Sequence, residues 1–401
     1  MNGLGSSERT LLERAAAAPM LDQVQKWAAI NSGSRNVSGL ATIAQMLADA
    51  FSSLPGEIRL VEPGEVEAIK PDGGIEHVRH GQHLLLSVRR EAPLRLLLTG
   101  HMDTVFSSDH AFQSLRWSED GSLNGPGVTD MKGGLAVMLA ALRAVEMSGE
   151  FSQVGYDVLI NSDEELGSPS SARLLREAAR GKTAAFTYEP SLPDGTLAGA
   201  RAGSGNFSVI VTGRSAHAGR NPDEGRNAVL AAADLALRLK AGSRSDLSIN
   251  PARIDGGGPN NVVPDKAILR FNLRPRTAEA EEAAQQLITR SVADVSRDHD
   301  VGMSVHGGFG RPPKLIDGKA LRLFNLVRHC GAELGLPIAW RDTGGVCDGN
   351  NIAACGVPVV DTMGVRGGAI HSDEEYLIVE SLAERAQLSA LSLLRIAQGG
   401  I

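Results

Sequence analysis

The chain has few cysteines, few aromatic residues and no excess of positive charge. Its 401 residues include three cysteines, and aromatic side chains make up 4% of the sequence. A small and odd number of cysteines does not provide a disulfide framework, so we expect Cys330, Cys347 and Cys355 to be reduced. The net charge of −7 argues against a protein that binds nucleic acid or an anionic membrane through its overall field.

Long apolar runs are also missing. No run approaches the roughly 20 apolar residues that a membrane-spanning helix needs. The first twenty residues lack a basic segment followed by an apolar one, so a signal peptide is not expected. We therefore expect a cytoplasmic protein without a membrane partner.

Glycine, by contrast, is abundant, with 46 residues in a composition that is 42% hydrophobic and 22% charged. These fractions are typical of a folded globular protein. The length exceeds one typical domain of roughly 100–200 residues, which predicts two or three structural units. Short apolar runs such as LRLLLTG alternate with helical patterns such as MKGGLAVMLAALRAVEMSG. This alternation predicts an α/β fold with a mostly parallel sheet.

The pattern of elements changes near Arg201. From there to Arg311 the strand and helix patterns follow the order β-α-β-β-α-β, which is typical of a ferredoxin-like α+β module. The α/β alternation resumes from Lys314 onward. The sequence therefore predicts a discontinuous α/β domain, residues 1–202 and 312–401, interrupted by an inserted domain of residues 203–311.

Histidine and carboxylate side chains follow several predicted strands and glycine-rich turns. They are His101 and Asp103 in GHMDTV, Asp130 in GPGVTDMKGG, Glu164 and Glu165 in SDEELGS, Glu189 in TYEP, and His371 in AIHSDEE. Ligands of open parallel sheets bind at the carboxyl ends of the strands. Mixed histidine and carboxylate ligands suit Zn²⁺, Mn²⁺ or Co²⁺. One carboxylate can also bridge two ions roughly 3.5–4 Å apart, as in hydrolytic two-metal sites.

Other polar residues favour simpler interpretations. The remaining acidic residues of these strings are expected on a solvated surface, and they are Asp163, Asp373, Glu374 and Glu375. The histidines of HVRHGQH, residues 77–83, are expected on a solvated strand edge. Neither GVTDMKGG nor GGGPNN has the context of a phosphate-binding loop, which disfavours a nucleotide-binding or redox α/β enzyme.

In their order and spacing, the motifs resemble the M20 family of metallopeptidases and deacylases. They are most similar to its glutamate carboxypeptidase branch, the carboxypeptidase G type. The similar strings are LLLTGHMDTVF, GPGVTDMKGGLAVMLAAL, NSDEELGS, TYEP, TGRSAHAG, NNVVP and IHSDEEYL. The resemblance implies a di-zinc catalytic domain with an inserted lid and dimerisation domain, and hence a homodimer.

The resemblance also implies a ligand set for two zinc ions per chain. In this set Asp130 bridges the ions, His101 and Glu189 complete one site, and Glu165 and His371 complete the other. Co²⁺ and Mn²⁺ fit the same ligands.

Further roles follow from the resemblance. Glu164 is the general base, which takes a proton from the metal-activated water and passes it to the leaving amine. Asp103 hydrogen-bonds His101 and fixes its tautomer. His217 reaches the active site of the partner subunit and stabilises the oxyanion of the tetrahedral intermediate.

Substrate-binding residues are implied as well. Arg311 holds the substrate α-carboxylate by a bidentate pair, while Arg274 and Asn261 are further substrate-binding positions of the inserted domain. Gly344 and Gly345 match a glycine-rich loop beside the site.

The implied function is cleavage of the amide bond of an N-acyl amino acid or a C-terminal residue, with glutamate as the favoured leaving amino acid. Two alternatives stay open. One is a deacylase of the acetylornithine or succinyl-diaminopimelate type, and the other is a non-catalytic binding protein that retains the fold. The filled base and ligand positions disfavour the binding protein.

Overall fold

The computed structural model describes residues 4–401, and its central element is a six-stranded sheet. The α-helices of this part of the chain are α1 (Ser6–Ala16), α2 (Met20–Ala28), α3 (Val37–Phe51), α4 (Gly134–Glu146), α5 (Ala172–Ala179), α6 (Ala228–Ala241), α7 (Ala278–His299), α8 (Gly318–Leu334), α9 (Asp348–Ala353) and α10 (Ser381–Ala397). The strands of the first half are β1 (Glu57–Val61), β2 (Glu67–Ile69), β3 (Ile75–His77), β4 (His83–Val88), β5 (Leu94–His101), β6 (Arg116–Trp117), β7 (Leu123–Asn124), β8 (Val154–Asn161), β9 (Ala184–Thr187) and β10 (Leu197–Arg201). The remaining strands are β11 (Ser204–Thr212), β12 (Ala216–His217), β13 (Leu247–Gly256), β14 (Val262–Val263), β15 (Lys266–Pro275), β16 (Gly302–Arg311), β17 (Trp340–Thr343), β18 (Val359–Val360), β19 (Gly367–Gly368) and β20 (Tyr376–Leu377).

The six-stranded sheet has the order β1-β4-β8-β5-β9-β18 and confirms the α/β fold class. Its pairs from β8 to β18 are parallel, whereas the two pairs at the β1 edge are antiparallel, so the sheet is mixed. Both faces of the sheet are covered by hydrophobic cores. Successive side chains of a strand point to opposite faces, so neighbouring residues enter different cores. In β5, Leu96 and Leu98 belong to the main hydrophobic core, and Leu97 belongs to a second core on the opposite face. This explains the nearly continuous apolar run of the strand.

Residues 204–311, called the inserted segment below, form a second sheet with its own core. The strand order is β13-β15-β11-β16, and every neighbouring pair is antiparallel. The helices α6 and α7 pack against this sheet, and Phe207, Val209 and Val211 of β11 alternate into the core between them. The element order and strand order are those of a ferredoxin-like module.

The chain passes between the two sheets twice, near Arg201 and near Lys314, and buried polar contacts join these two crossings. Arg201 and Lys314 pair through their backbones, with N–H to carbonyl distances of 2.8 and 3.0 Å. Both side chains also bind the buried carboxylate of Asp361, at 2.8 and 2.7 Å. The amide of Asn350 donates hydrogen bonds of 2.9 and 2.8 Å to one backbone carbonyl on each crossing. The base of the inserted segment is therefore firmly attached to the main sheet.

Two expectations about composition can be compared with the structure. Among residues 4–401, no helix is both long enough and apolar enough to cross a membrane. The three cysteines are free thiols, and Cys330 and Cys347 are buried.

Candidate metal centre

The carboxyl ends of three parallel strands meet at one edge of the main sheet. His101 is the last residue of β5 and lies opposite Asn161, the last residue of β8. The chain then turns through Glu164 and Glu165, three and four residues beyond β8. Glu189 follows β9, the other neighbour of β5, by two residues. Because these strands run in the same direction, their following residues converge on one site.

Asp130 lies between two histidine-carboxylate pairs. Its Oδ1 atom is 3.1 Å from Nε2 of His101, which is in turn 3.7 Å from Oε2 of Glu189. Its Oδ2 atom is 3.4 Å from Nε2 of His371, which is 3.1 Å from Oε2 of Glu165. The structure thus brings together all five side chains that the sequence predicts as metal ligands, with one oxygen of Asp130 facing each pair.

The chemistry of this cluster fits a metal ion. Ligand atoms of His101, Asp130 and Glu165 all lie within 4.8 Å of one another, as do those of His101, Glu164 and Glu189. Oε1 of Glu189 is buried and has no hydrogen-bond partner among the described residues. Burial and the charge of Asp130 raise the pKa of Glu165 to about 8. Buried carboxylates at this density need positive charge, which divalent cations supply.

Asp103 connects His101 to the turn that carries the two glutamates. Nδ1 of His101 lies 3.0 Å from the backbone oxygen of Asp103 and 3.3 Å from its Oδ1. The same carboxylate accepts hydrogen bonds of 3.2 Å from the backbone amides of Glu164 and Glu165. The hydroxyl of Ser34 donates a further bond of 2.7 Å. Asp103 therefore contacts both the ring of His101 and the start of the turn, and its orienting role stays a prediction.

Glu164 is buried and faces Arg311. An Nη2 atom of Arg311 lies 2.7 Å from Oε1 of Glu164 and 3.4 Å from Oδ1 of Asp348. Arg311 also donates hydrogen bonds to the backbone oxygen of Glu164 and the hydroxyl of Ser168. Burial raises the pKa of Glu164 to about 7, against the opposing effect of Arg311. In this arrangement the guanidinium of Arg311 binds carboxylates of the protein itself, and its predicted contact with a substrate carboxylate stays a prediction.

A cavity of about 1270 Å³ lies between the ligand cluster and the inserted segment. Arg274 contributes to its wall from β15, and Arg341 contributes from β17. The predicted glycine-rich loop, Gly344 and Gly345, lines the cavity as well. The cavity therefore combines the carboxylates of the ligand cluster with cationic side chains from other parts of the chain.

Two residues predicted for the site lie elsewhere in the chain. His217 and Asn261 are exposed and do not line the cavity. His217 ends β12, and Asn261 immediately precedes β14, the strand that pairs with β12. Nδ1 of His217 accepts hydrogen bonds of 3.1 and 3.2 Å from the backbone amides of Gly219 and Arg220. Asn261 accepts a backbone hydrogen bond from Ala218. A single chain therefore does not bring these two side chains to the ligand cluster.

The expectation of a solvated surface is wrong for Asp163 and Glu375, although it is confirmed for Asp373 and Glu374. Asp163 is fully buried and accepts hydrogen bonds from the hydroxyls of Ser170 and Ser171. Glu375 is 1% exposed and accepts three backbone hydrogen bonds near Asp130. The serine pair that follows Asp163 is a local signal for its burial, whereas the partners of Glu375 lie about 245 residues away.

The solvated edge expected for the histidines of residues 77–83 is also wrong in part. His77 is exposed, but His80 and His83 are 5% and 1% exposed. His83 begins β4, between β1 and β8, and its ring contacts the hydroxyls of Ser162 and Ser170. His83 is therefore on an interior strand of the sheet, whereas His80 lies in the loop before it, and the spacing of the histidines does not indicate the burial of either ring.

Comparison with protein families identifies the chain over most of its length. Residues 97–395 match the model described as peptidase family M20/M25/M40. The matched range includes every residue of the ligand cluster.

Individual relatives agree on the family but differ in activity. The chain is 30% identical to carboxypeptidase G2 of Pseudomonas sp. (strain RS-16), over 80% of this chain and 78% of the relative. It is 29% identical to the succinyl-diaminopimelate desuccinylase of Maricaulis maris (strain MCS10), over 71% of this chain and 77% of the relative. The fold is similar to that of a tripeptidase from Staphylococcus aureus subsp. aureus Mu50, with a TM-score of 0.73 at 24% identity, over 96% of this chain and 98% of the other.

Proposed function

The chain belongs to peptidase family M20/M25/M40, and on this premise we propose that it is a di-zinc hydrolase of the glutamate carboxypeptidase type. It would cleave the amide bond of an N-acyl amino acid or a C-terminal residue, with glutamate as the leaving amino acid. The observation that carries this proposal is the position of Asp130, whose two carboxylate oxygens face two different histidine-carboxylate pairs.

We assign the ligands of the two ions by these contacts. His101 and Glu189 would hold one ion, Glu165 and His371 the other, and Asp130 would bind both. Bound zinc would polarise the scissile carbonyl and lower the pKa of water, so that hydroxide forms near neutral pH. Asp103 supports this centre by holding the ring of His101 in one orientation.

Glu164 is the proposed general base. Its carboxylate lies beside the ligand cluster but takes no part in the pairs around Asp130. A base works best when its pKa lies near the working pH, and burial raises the pKa of Glu164 to about 7. The carboxylate would take a proton from the attacking water and pass it to the nitrogen of the leaving amino acid.

The carboxylate of the substrate requires a cationic partner. Arg274 lines the cavity from the inserted segment, and its Nε donates a hydrogen bond to the side chain of Asn272. Arg311 is close to the base but is engaged by Glu164 and Asp348. We propose that both arginines bind the substrate α-carboxylate, with Arg311 exchanging a protein carboxylate for that of the substrate.

Residues 203–311 are proposed to act as a lid and dimerisation domain. His217 and Asn261 lie outside the cavity of their own chain, so they would serve the active site of a partner subunit in a homodimer. His217 would there stabilise the oxyanion of the tetrahedral intermediate. A cytoplasmic location stays a prediction of the sequence.

A deacylase of the succinyl-diaminopimelate or acetylornithine type is the second candidate. The similarity to the Maricaulis maris desuccinylase, 29% against 30% for carboxypeptidase G2, supports it nearly as well. The cationic side chains of the cavity fit a carboxylate in either substrate, so they do not separate the two candidates.

A hydrolysis screen separates these candidates. The zinc-loaded protein is given N-acyl amino acids that share one acyl group and differ in the amino acid, together with N-succinyl-diaminopimelate and N-acetylornithine. We expect glutamate to give the highest kcat/KM. Fastest hydrolysis of either deacylase substrate would support the second candidate. Absence of hydrolysis in protein that binds metal would favour a binding protein that retains the fold.

A further inference from the structure

Glu375 is a buried carboxylate, and the buried Lys132 lies close enough to interact with its charge. The groups that donate hydrogen bonds to it are three backbone amides of one turn. The N–H of Gly127 donates to Oε2 at 3.1 Å, and the N–H groups of Thr129 and Asp130 donate to Oε1 at 2.9 and 3.0 Å. Hydrogen bonds to a charged acceptor are stronger than those between neutral groups. The third of these donors belongs to Asp130 itself.

The same residue is anchored on the loop that carries His371. Glu375 follows His371 by four residues, and its backbone oxygen accepts hydrogen bonds from Gly125 and from the side chain of Asn124. The backbone of His371 has a φ of 66°, in the left-handed region that residues other than glycine rarely adopt. A loop held in this conformation needs support from its surroundings.

A side-chain bond joins the same two loops a second time. The hydroxyl of Thr129 donates to the backbone oxygen of Tyr376 at 2.6 Å. The segment before α4 is thus bonded both to the side chain of Glu375 and to the backbone of the next residue, Tyr376. This segment carries Asp130, and the loop that ends at Glu375 carries His371. Oδ2 of Asp130 and Nε2 of His371 are 3.4 Å apart.

We propose that Glu375 is a positioning residue of the metal centre, which holds the bridging Asp130 and the ligand His371 at the separation that ion binding requires. This inference rests on the proposed two-metal function. Glu375 touches neither the ions nor the substrate in this role. It acts through the backbone of Asp130 and through the loop of His371.

The test is a calorimetric zinc titration of metal-free protein carrying Glu375→Gln. A glutamine offers one acceptor oxygen, and its amide hydrogens would face an N–H donor of the turn. Residues that orient metal ligands typically change metal affinity by about 10–100-fold, so we expect a loss of that size at one or both sites. Glu374→Gln is the matched control, because Glu374 is the exposed neighbour and its replacement should leave both affinities unchanged.

A purely structural role is distinguished by measuring unfolding of the same metal-free proteins. If Glu375→Gln lowers the melting temperature but the folded protein binds zinc as tightly as the unmodified chain, the inference is overturned. Thr129→Val provides a milder variant should Glu375→Gln not fold, since it removes only the bond to Tyr376. We expect a loss of zinc affinity of a few-fold in that variant, and unchanged affinity would overturn the inference. An unmodified chain that binds no zinc would instead overturn the proposed function, and the inference with it.

Discussion

The proposed metal centre and the β12–β14 strand pair of the inserted segment differ in how they are built. Most of the ligand cluster is buried, and two carboxylates that are not proposed ligands, Asp103 and Glu375, contact the ring of His101, the backbone of Asp130 and the turn of Glu164. His217 and Asn261, on or beside the strand pair, are exposed and make local backbone contacts away from the cavity. One chain therefore suffices to bring the proposed metal ligands together, while the contacts proposed for the transition state require a second chain. The two regions should therefore respond differently to mutation.

The largest loss of activity is expected from Glu164→Gln in the buried cluster. The amide cannot accept the proton of the attacking water, and general base catalysis contributes typically about 10²–10⁴-fold. We expect kcat to fall by at least about 10³-fold, with the zinc content unchanged. The measurements are steady-state hydrolysis and metal analysis of the same preparation, with Glu374→Gln as the exposed control.

Loss of zinc together with activity would give a different answer. Because Glu164 can approach His101 and Glu189 as a third ligand, that result would make it a ligand rather than the base. Retained activity would contradict the mechanism altogether.

A smaller loss, about 10²–10³-fold in kcat, is expected for His217→Ala at the end of β12, the range for removing one oxyanion donor. Zinc affinity should not change, since His217 does not line the cavity that holds the proposed ligands of its own chain. Mixing this variant with Glu164→Gln should restore activity, because a mixed dimer has one site with both residues intact.

Random exchange of equal amounts of the two variants makes about half of the dimers mixed, so roughly a quarter of all active sites are intact. Recovery of that size after subunit exchange would confirm action across the dimer. No recovery, in a mixture shown to exchange subunits, would mean that His217 does not act in the partner's site.

The smallest of these effects is expected for Arg274→Ala, at the boundary between the two regions. A hydrogen bond to a charged group contributes about 1.5–3 kcal/mol, so KM for a substrate with a free α-carboxylate should rise about 10–100-fold. A higher KM with an unchanged kcat indicates the loss of an interaction that stabilises the bound substrate and the transition state equally. Arg276→Ala is the control, because Arg276 is exposed and directly follows the same strand, and it should leave KM unchanged. An equal rise in KM for both variants would mean that the loss of positive charge, and not a contact of Arg274, weakens substrate binding.

A local rule of the sequence accounts for the meeting of three proposed ligands, whereas the full set of five follows from the family resemblance. His101 directly follows the apolar run LRLLLTG, and Glu165 and Glu189 come shortly after the two neighbouring strands. Parallel strands then bring these positions to one edge without further information. The start of the inserted segment is also predicted from a local pattern. Apolar and polar residues alternate in β11, as expected for a half-buried strand, and the burial of its side chains alternates in the same way.

What the sequence does not predict depends on contacts between distant parts of the chain. Glu375 is buried because the amides of residues 127–130 turn toward it, and nothing within SDEEYL indicates those donors. The antiparallel edge formed by β1 and β4 is another example, because strand direction depends on the connections around it. Arg311 meets Glu164 and Asp348 only where the inserted segment returns to the main sheet.

The central claim is that Asp130 bridges two metal ions, and a zinc titration of metal-free protein tests it most directly. Two ions per chain are expected for the unmodified protein. One ion per chain is expected for His371→Ala, because Asp130, His101 and Glu189 remain to hold the first. A single ion in the unmodified chain would contradict the account. So would two ions per chain in His371→Ala, bound as tightly as in the unmodified protein.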